Sequence, residues 1–222
     1  MIAALFVMAD GPYAGRPDVD LWDEARDARL YTGPHPVVAH PPCQRWGRWW
    51  WKGPNGTRYT RPGMDGGLFE AALAMVHRHG GVLEHPAGSL AWPAFNLPVP
   101  PAIGRWVHYP PSFLPRPPGW SCHVEQGRYG HPAPKPTWLY YVGSAAPTPL
   151  IWGPSASVYH SAEERRAAKQ ARGRNRDSPV ERATKRERKI TPPAFCEELL
   201  RLARHSAAGR QVDQIKQTGR IP

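Results

Sequence analysis

Two apolar runs in this chain end on proline corners, and a helix-spaced segment lies between them. Residues 37–43 read VVAHPPC and residues 82–86 read VLEHP. Proline brings no N–H to a sheet ladder, so each run can be a strand only as far as its corner. Between them GGLFEAALAMVHRH, residues 66–79, sets apolar residues at 68, 69, 72, 73, 75 and 76, one face of a helix. Gly80 and Gly81 stop that helix, and His77, Arg78 and His79 suit the negative end of its dipole. Strand, helix and strand in this order predict a right-handed crossover between parallel neighbours. AALFVMADG, residues 3–11, reads as another buried strand, VDLW begins a short one, and TWLYYVG, residues 137–143, is a strand by its aromatic and β-branched content. The fold class expected is therefore α/β, with a mostly parallel sheet.

A length of 222 residues suffices for one substantial core. The 28 prolines and 21 glycines predict Pro-rich loops, the longest over 86–121. Residues 1–154 are expected to form the core and 155–190 a basic segment. A C-terminal helix is expected over 191–206, and 207–222 as a tail. In that helix Thr191 would cap, Pro192 would sit in the first turn, and Phe195, Leu199, Leu202 and Ala203 would make the buried stripe. No apolar stretch approaches bilayer length, and the start lacks a basic leader. Cys43, Cys122 and Cys196 cannot build a disulfide framework, which favours a reducing cytoplasm and leaves a thiol for chemistry. The net charge of +11 points to a polyanion as partner. Residues 161–190 hold eleven Lys/Arg against five Asp/Glu, either a solvated helix or a phosphate-binding segment.

Ligands of open α/β sheets bind at the carboxyl ends of the strands. There the first corner offers Cys43 and the second Glu84, at the same edge if the strands are neighbours. EQGRYGHPAPKPTWLYY, from residue 125, sets Gln126 and Arg128 just ahead of a further strand. A thiol, a carboxyl group, an amide and a guanidinium are the set that a pyrimidine ring needs when attacked at C6. The thiolate adds to carbon, the carboxyl group holds and protonates N3, and arginine steadies the thiolate and the substrate oxygen. No metal is expected. His40, Cys43, Cys122 and His123 lack zinc-ligand spacing, and His123-Val124-Glu125 is only half of a zinc-deaminase signature. Cys196 reads as core.

PPCQ (41–44), Glu84-His85-Pro86 and QGRYG (126–130) resemble three motifs of the DNA cytosine-5 methyltransferases: a Pro-Pro-Cys-Gln nucleophile loop, a Glu-Asn-Val acid strand and a Gln-x-Arg-x-Arg strand, in this order. The resemblance implies a single Rossmann-like methyltransferase domain that uses S-adenosyl-L-methionine. Cys43 would be the nucleophile, Glu84 the N3 contact, and Gln126 and Arg128 the positioning pair. Phe6 and Gly11 match the start of the family's cofactor loop, although ALFVMADG keeps one glycine of its set. Phe6, Asp10, Gly11 and Pro41 would then face the cofactor, and Asp20, Asp23 or Glu24 its ribose. Glu84 is followed by His-Pro rather than Asn-Val, and Gly130 replaces the last arginine of the third motif.

The activity so implied is methyl transfer to C5 of cytosine in double-stranded DNA, with the target base flipped. A compact, phage-type enzyme in the cytoplasm of a bacterial host is expected. Arg45, Arg48, Trp49, Lys52, Arg172, Arg174 and Arg176 are the expected DNA contacts. The tryptophans at 46, 49, 50 and 51 would pack the loop or stack bases. Two other readings use the same residues: C5 chemistry on a free pyrimidine nucleotide or with a carboxylated methyl donor, and a non-catalytic nucleic-acid-binding protein on this fold.

Overall fold

The computed structural model describes residues 1–101, 104–108, 119–154 and 190–218, with side chains as far as 207 in the last stretch. The basic segment, with Arg172, Arg174 and Arg176, lies outside the described residues. The fold is α/β. Among the described residues seven strands form one sheet: β1 (Ile2–Leu5), β2 (Val19–Trp22), β3 (Val37–Ala39), β4 (Gly81–Pro86), β5 (Trp106–His108), β6 (Trp120–Glu125) and β7 (Pro136–Val142). Their order is β2-β1-β3-β4-β7-β6-β5.

The sheet is mixed, which corrects the mostly parallel expectation. β2, β1, β3 and β4 run parallel, whereas β7 is antiparallel to β4, β6 to β7 and β5 to β6. The connections explain the change of sense. Helix α1 (Leu68–His79) carries the chain between parallel β3 and β4, as its apolar face requires. Between β6 and β7 there is only a short turn with a 3-10 segment at Gln126–Tyr129, and so short a link joins antiparallel neighbours. β5 and the first two residues of β6 fall inside the region expected as one long loop, as does the four-residue helix α2 (Ala91–Ala94). The strand expected over 3–11 ends at Leu5.

Alternate residues on the strands build two cores, one on each face. Ala3, Leu5, Val37, Ala39 and Leu83 meet Phe69, Ala72 and Val76 of α1. Ala4, Val38, Val82, Val124 and Leu139 meet Phe195, Leu199, Leu202 and Ala203. The latter belong to α3, Pro193–Thr218, so the expected buried stripe is present and the helix runs past 206 through most of the expected tail. Gly81 marks the join of β3 and β4. At φ +123, a Cβ there would lie 1.9 Å from the Val37 carbonyl oxygen, so no side chain fits this crossing.

The start of α1 is fixed by a residue that the helical pattern did not single out. The Asp65 carboxylate accepts from the backbone N–H of Gly67 (3.0 Å) and Phe69 (3.0 Å) and from Trp46 Nε1 (2.7 Å). One acid thus caps the helix and anchors the loop that follows Cys43. At α3 the cap differs from expectation. The Pro192 carbonyl accepts from Phe195 and Cys196, each at 2.9 Å, and Thr191 instead faces a cavity.

Candidate active site

A cavity of about 470 Å³ opens at the carboxyl ends of β1, β3 and β4. Phe6, Val7 and Met8 leave β1 along one side, His40–Gln44 leave β3, Glu84 and Pro86 leave β4, and Ile190 and Thr191 close it ahead of α3. Register brings the central pair together. Val38 pairs with Val82 and Ala39 with Leu83, so the next step sets His40 beside Glu84. Both side chains lie on the α3 face, because each is two residues beyond a member of that core.

Glu84 sits in a hydrogen-bonded network. His40 Nδ1 lies 3.3 Å from its Oε2, and Tyr13 Oη lies 2.9 Å from His40 Nε2. Gln126 Nε2 donates to Glu84 Oε1 (2.8 Å) and to Thr137 Oγ1 (2.9 Å). Burial opposes ionisation of Glu84 most strongly, but the His40 hydrogen bond, with the His40 ring and the Lys135 ammonium close by, outweighs it and holds the carboxyl below its ordinary value. The His40 ring thus bridges the Glu84 carboxyl, on its Nδ1 side, and the Tyr13 hydroxyl, on its Nε2 side. Tyr13, His40 and Glu84 form a hydrogen-bonded chain along the cavity wall.

Cys43 lines the same cavity, half-buried on its proline corner. Its carbonyl accepts from Trp46 N (3.1 Å) and Gly47 N (3.0 Å), a tight turn that fixes the thiol's place. The cation in the cavity is Lys135. Burial lowers its pKa, while Glu84, Cys196 and Cys43 favour its charged form. A neighbouring ammonium stabilises a thiolate.

Arg128 is not in this group. It is exposed on the 3-10 turn and is not among the cavity residues, which corrects the expected convergence of Cys43, Glu84 and Arg128. The register of the β6–β7 turn explains the difference. Gln126 continues the inward alternation of Cys122 and Val124, and the 3-10 geometry then turns Arg128 outward. Gln126 is fully buried and acts by holding Glu84 rather than by lining the cavity.

Of the expected cofactor residues, Phe6 and Pro41 line the cavity, and Asp10, Gly11, Asp20 and Asp23 do not. Asp20 accepts from Trp22 Nε1 (2.8 Å) and Arg26 (2.7 Å), and Asp23 accepts from the Arg26 N–H (3.1 Å). Phe6 has φ +58, a left-handed conformation that costs an L-residue about 1–2 kcal/mol. Strain of this kind, at the end of a buried strand and on a cavity wall, marks a place that the surrounding fold holds by force.

Tyr13, His40 and Lys135 were not assigned to this site from the sequence. His40 is the one with a local signal, since it follows Val38 by two and so shares its face. Tyr13 and Lys135 arrive from loops whose course no periodicity predicts. The tryptophan run divides as well. Trp46 is buried between Phe69 and Phe95 at ring distances of 5.6 and 5.7 Å, whereas Trp49 is 56% exposed. No helix among the described residues is long and apolar enough to cross a membrane. No family model matches the chain, and neither a curated protein nor a solved structure matches it.

Proposed function

We propose that the chain is an S-adenosyl-L-methionine-dependent methyltransferase that modifies C5 of cytosine in DNA, on a Rossmann-like fold of compact, phage type. The observation that carries this reading is the common cavity of Cys43 and Glu84 at the carboxyl edge of the parallel strands. The ring of a flipped cytosine between them would meet a thiol on one side and a carboxylate on the other. The Cys43 sulfur adds to C6 as its pair forms the S–C6 bond and the C5=C6 electrons shift toward N3. As that charge develops N3 takes up a proton drawn from solvent by way of the Glu84 carboxylate, which then accepts a hydrogen bond from N3–H. The resulting enamine is nucleophilic at C5. After alkylation water takes the C5 proton, the freed pair restores C5=C6 and expels the thiolate, and N3 returns its proton through Glu84. Lys135 favours that thiolate in the free enzyme, the role the sequence assigned to Arg128.

The cavity fits the methyl donor in its apolar part. Phe6, Val7, Met8, Pro12 and Pro41 offer a surface for the adenine and the thioether beside the end of β1. When bound there, the donor supplies the methyl group. Glu84 is the one carboxylate among the described lining residues, so the ribose acid expected at Asp20 or Asp23 has no counterpart in the wall.

A trapping experiment tests the reading. With duplex DNA containing 5-fluorocytosine and the methyl donor, the C5 substituent cannot leave as a proton, and a covalent adduct at Cys43 is expected by peptide mass spectrometry. Cys43→Ala should form none. Absence of the adduct, with donor binding confirmed by calorimetry, overturns the assignment.

Lys135 favours one variation. A half-buried cation in a cavity with a single acid suits a phosphate or an added carboxylate, hence a free pyrimidine nucleotide or a carboxylated donor. Methyl transfer to dCMP in preference to duplex DNA would select it.

A further inference from the structure

The segment after the nucleophile corner forms a structure that the chemistry above does not use. From residue 28 to residue 64 the sequence contains no Asp or Glu, yet Arg45, Arg48, Lys52, Arg58 and Arg61 fall within it. The chain folds back on itself around Pro54–Gly56, with an antiparallel bridge between Lys52 and Arg58. Gly53 N donates to Thr57 O (2.7 Å) and Tyr59 N to Trp51 O (2.9 Å). Its foot is fixed, because Gly63 N donates to Arg45 O (2.9 Å) and Trp46 is held by Asp65.

With no ion pair to a carboxylate among the described residues, these cations lean on aromatic faces. Lys52 Nζ lies 4.4 Å from the centre of Trp49 and 5.1 Å from that of Trp51. The Arg58 guanidinium lies 5.1 Å from Trp51, that of Arg45 3.5 Å from Tyr59, and that of Arg48 5.2 Å from Trp49. Such contacts orient a cation without neutralising it. The hairpin is therefore a ribbon of alternating π surface and positive charge that no carboxylate pairs among the described residues. Residues 47–61 include no aliphatic side chain larger than proline, so an apolar protein groove or a bilayer interior finds little to bury.

We propose that this hairpin binds single-stranded nucleic acid, stacking unpaired bases on Trp49 and Trp51 while Arg48, Lys52 and Arg58 meet the phosphates. An intact duplex offers phosphates but keeps its base faces inside the stack, where these rings cannot reach them. Unpaired bases expose a π face whatever their identity, and stacking on aromatic residues is the sequence-tolerant way to hold them. The proposal rests on the nucleic-acid part of the proposed function and not on its chemistry. It places the unpaired strand beside the corner that carries Cys43.

Oligothymidylate of about 12 nucleotides, within the usual range for such sites, tests it without presenting a cytosine to the cavity. The full chain is titrated with this strand, with a duplex of equal length and with anionic phospholipid vesicles, at about 0.15 M salt. The single strand is expected to quench tryptophan fluorescence and to bind at least about tenfold more tightly than the duplex. Trp49→Ala with Trp51→Ala should weaken the single strand about tenfold or more and the duplex less than about twofold, and Trp49→Phe with Trp51→Phe should restore most of the loss. Equal affinity of the unaltered chain for both DNAs, or vesicle binding with no oligonucleotide binding, overturns the proposal before any variant is made. No donor is present, so the titration can fail while the Cys43 adduct forms, and the reverse.

Discussion

Glu84 and His85 are neighbours on one strand, both buried and both titratable, and they face opposite sides of the sheet. Glu84 enters the cavity side, where His40, Lys135, Gln126 and Thr137 converge on it. His85 enters the α1 side, where Phe69 and Trp92 pack on its ring at 5.2 and 6.3 Å and Ser89 Oγ lies 2.8 Å from Nδ1. Burial pushes His85 down to about 4 in spite of the Glu84 charge, so it is neutral at pH 7. The same degree of enclosure thus keeps one side chain charged and the other uncharged. Depth alone does not set ionisation; the partners do.

The largest test of this comparison is to open the uncharged side. Phe69 is fully buried among Trp46, His85, Trp92 and Phe95, and Phe69→Ala should cost about 3–5 kcal/mol in urea unfolding. If the two faces are separable, the variant still forms the Cys43 adduct at temperatures well below its melting point. A smaller effect comes from acid. The folded value of His85 lies below its ordinary 6.5, so unfolded chains bind its proton first. Its share of stability is complete above about 6.5 and is lost as pH falls toward about 4, on the order of 3 kcal/mol. Glu84, whose carboxyl is also lowered, keeps its share above its ordinary 4.5 and loses it only as pH falls further through its folded value. Melting curves across pH 4–6.5 should therefore slope in the unaltered chain and flatten in His85→Gln, without the lower limb moving. The smallest effect is the sharpest for the site: Arg128→Ala should change adduct formation by less than about twofold, since surface changes are worth within about 0.5 kcal/mol. A loss comparable to that in Lys135→Met would return Arg128 to the reaction.

Legibility in the sequence followed the range of the interactions. α1 was readable because its face repeats within twelve residues, and β3 and β4 because proline ends them locally. Cys43 and Glu84 were readable because each lies at such an end. β6 was not, since WSCHVE sits in a region dense in proline and tryptophan, and its strand character comes from pairing with β7. The antiparallel half of the sheet was lost with it. Arg128 was placed in the site by the likeness of QGRYG to a Gln-x-Arg-x-Arg motif, but a 3-10 turn follows β6 at Glu125 and leaves Arg128 exposed. Tyr13 and Lys135 meet Glu84 through contacts spanning many tens of residues, and nothing short-range encodes them.

Ile190 and Thr191 form one wall of the cavity, and the helix they precede covers a whole face of the sheet. During synthesis the strands, the Cys43 corner and Glu84 all leave the ribosome before that wall exists. A nascent chain arrested ahead of residue 190 would present an uncovered apolar sheet and an open trough in place of a pocket. Closure of the pocket is thus deferred until α3 docks on the sheet.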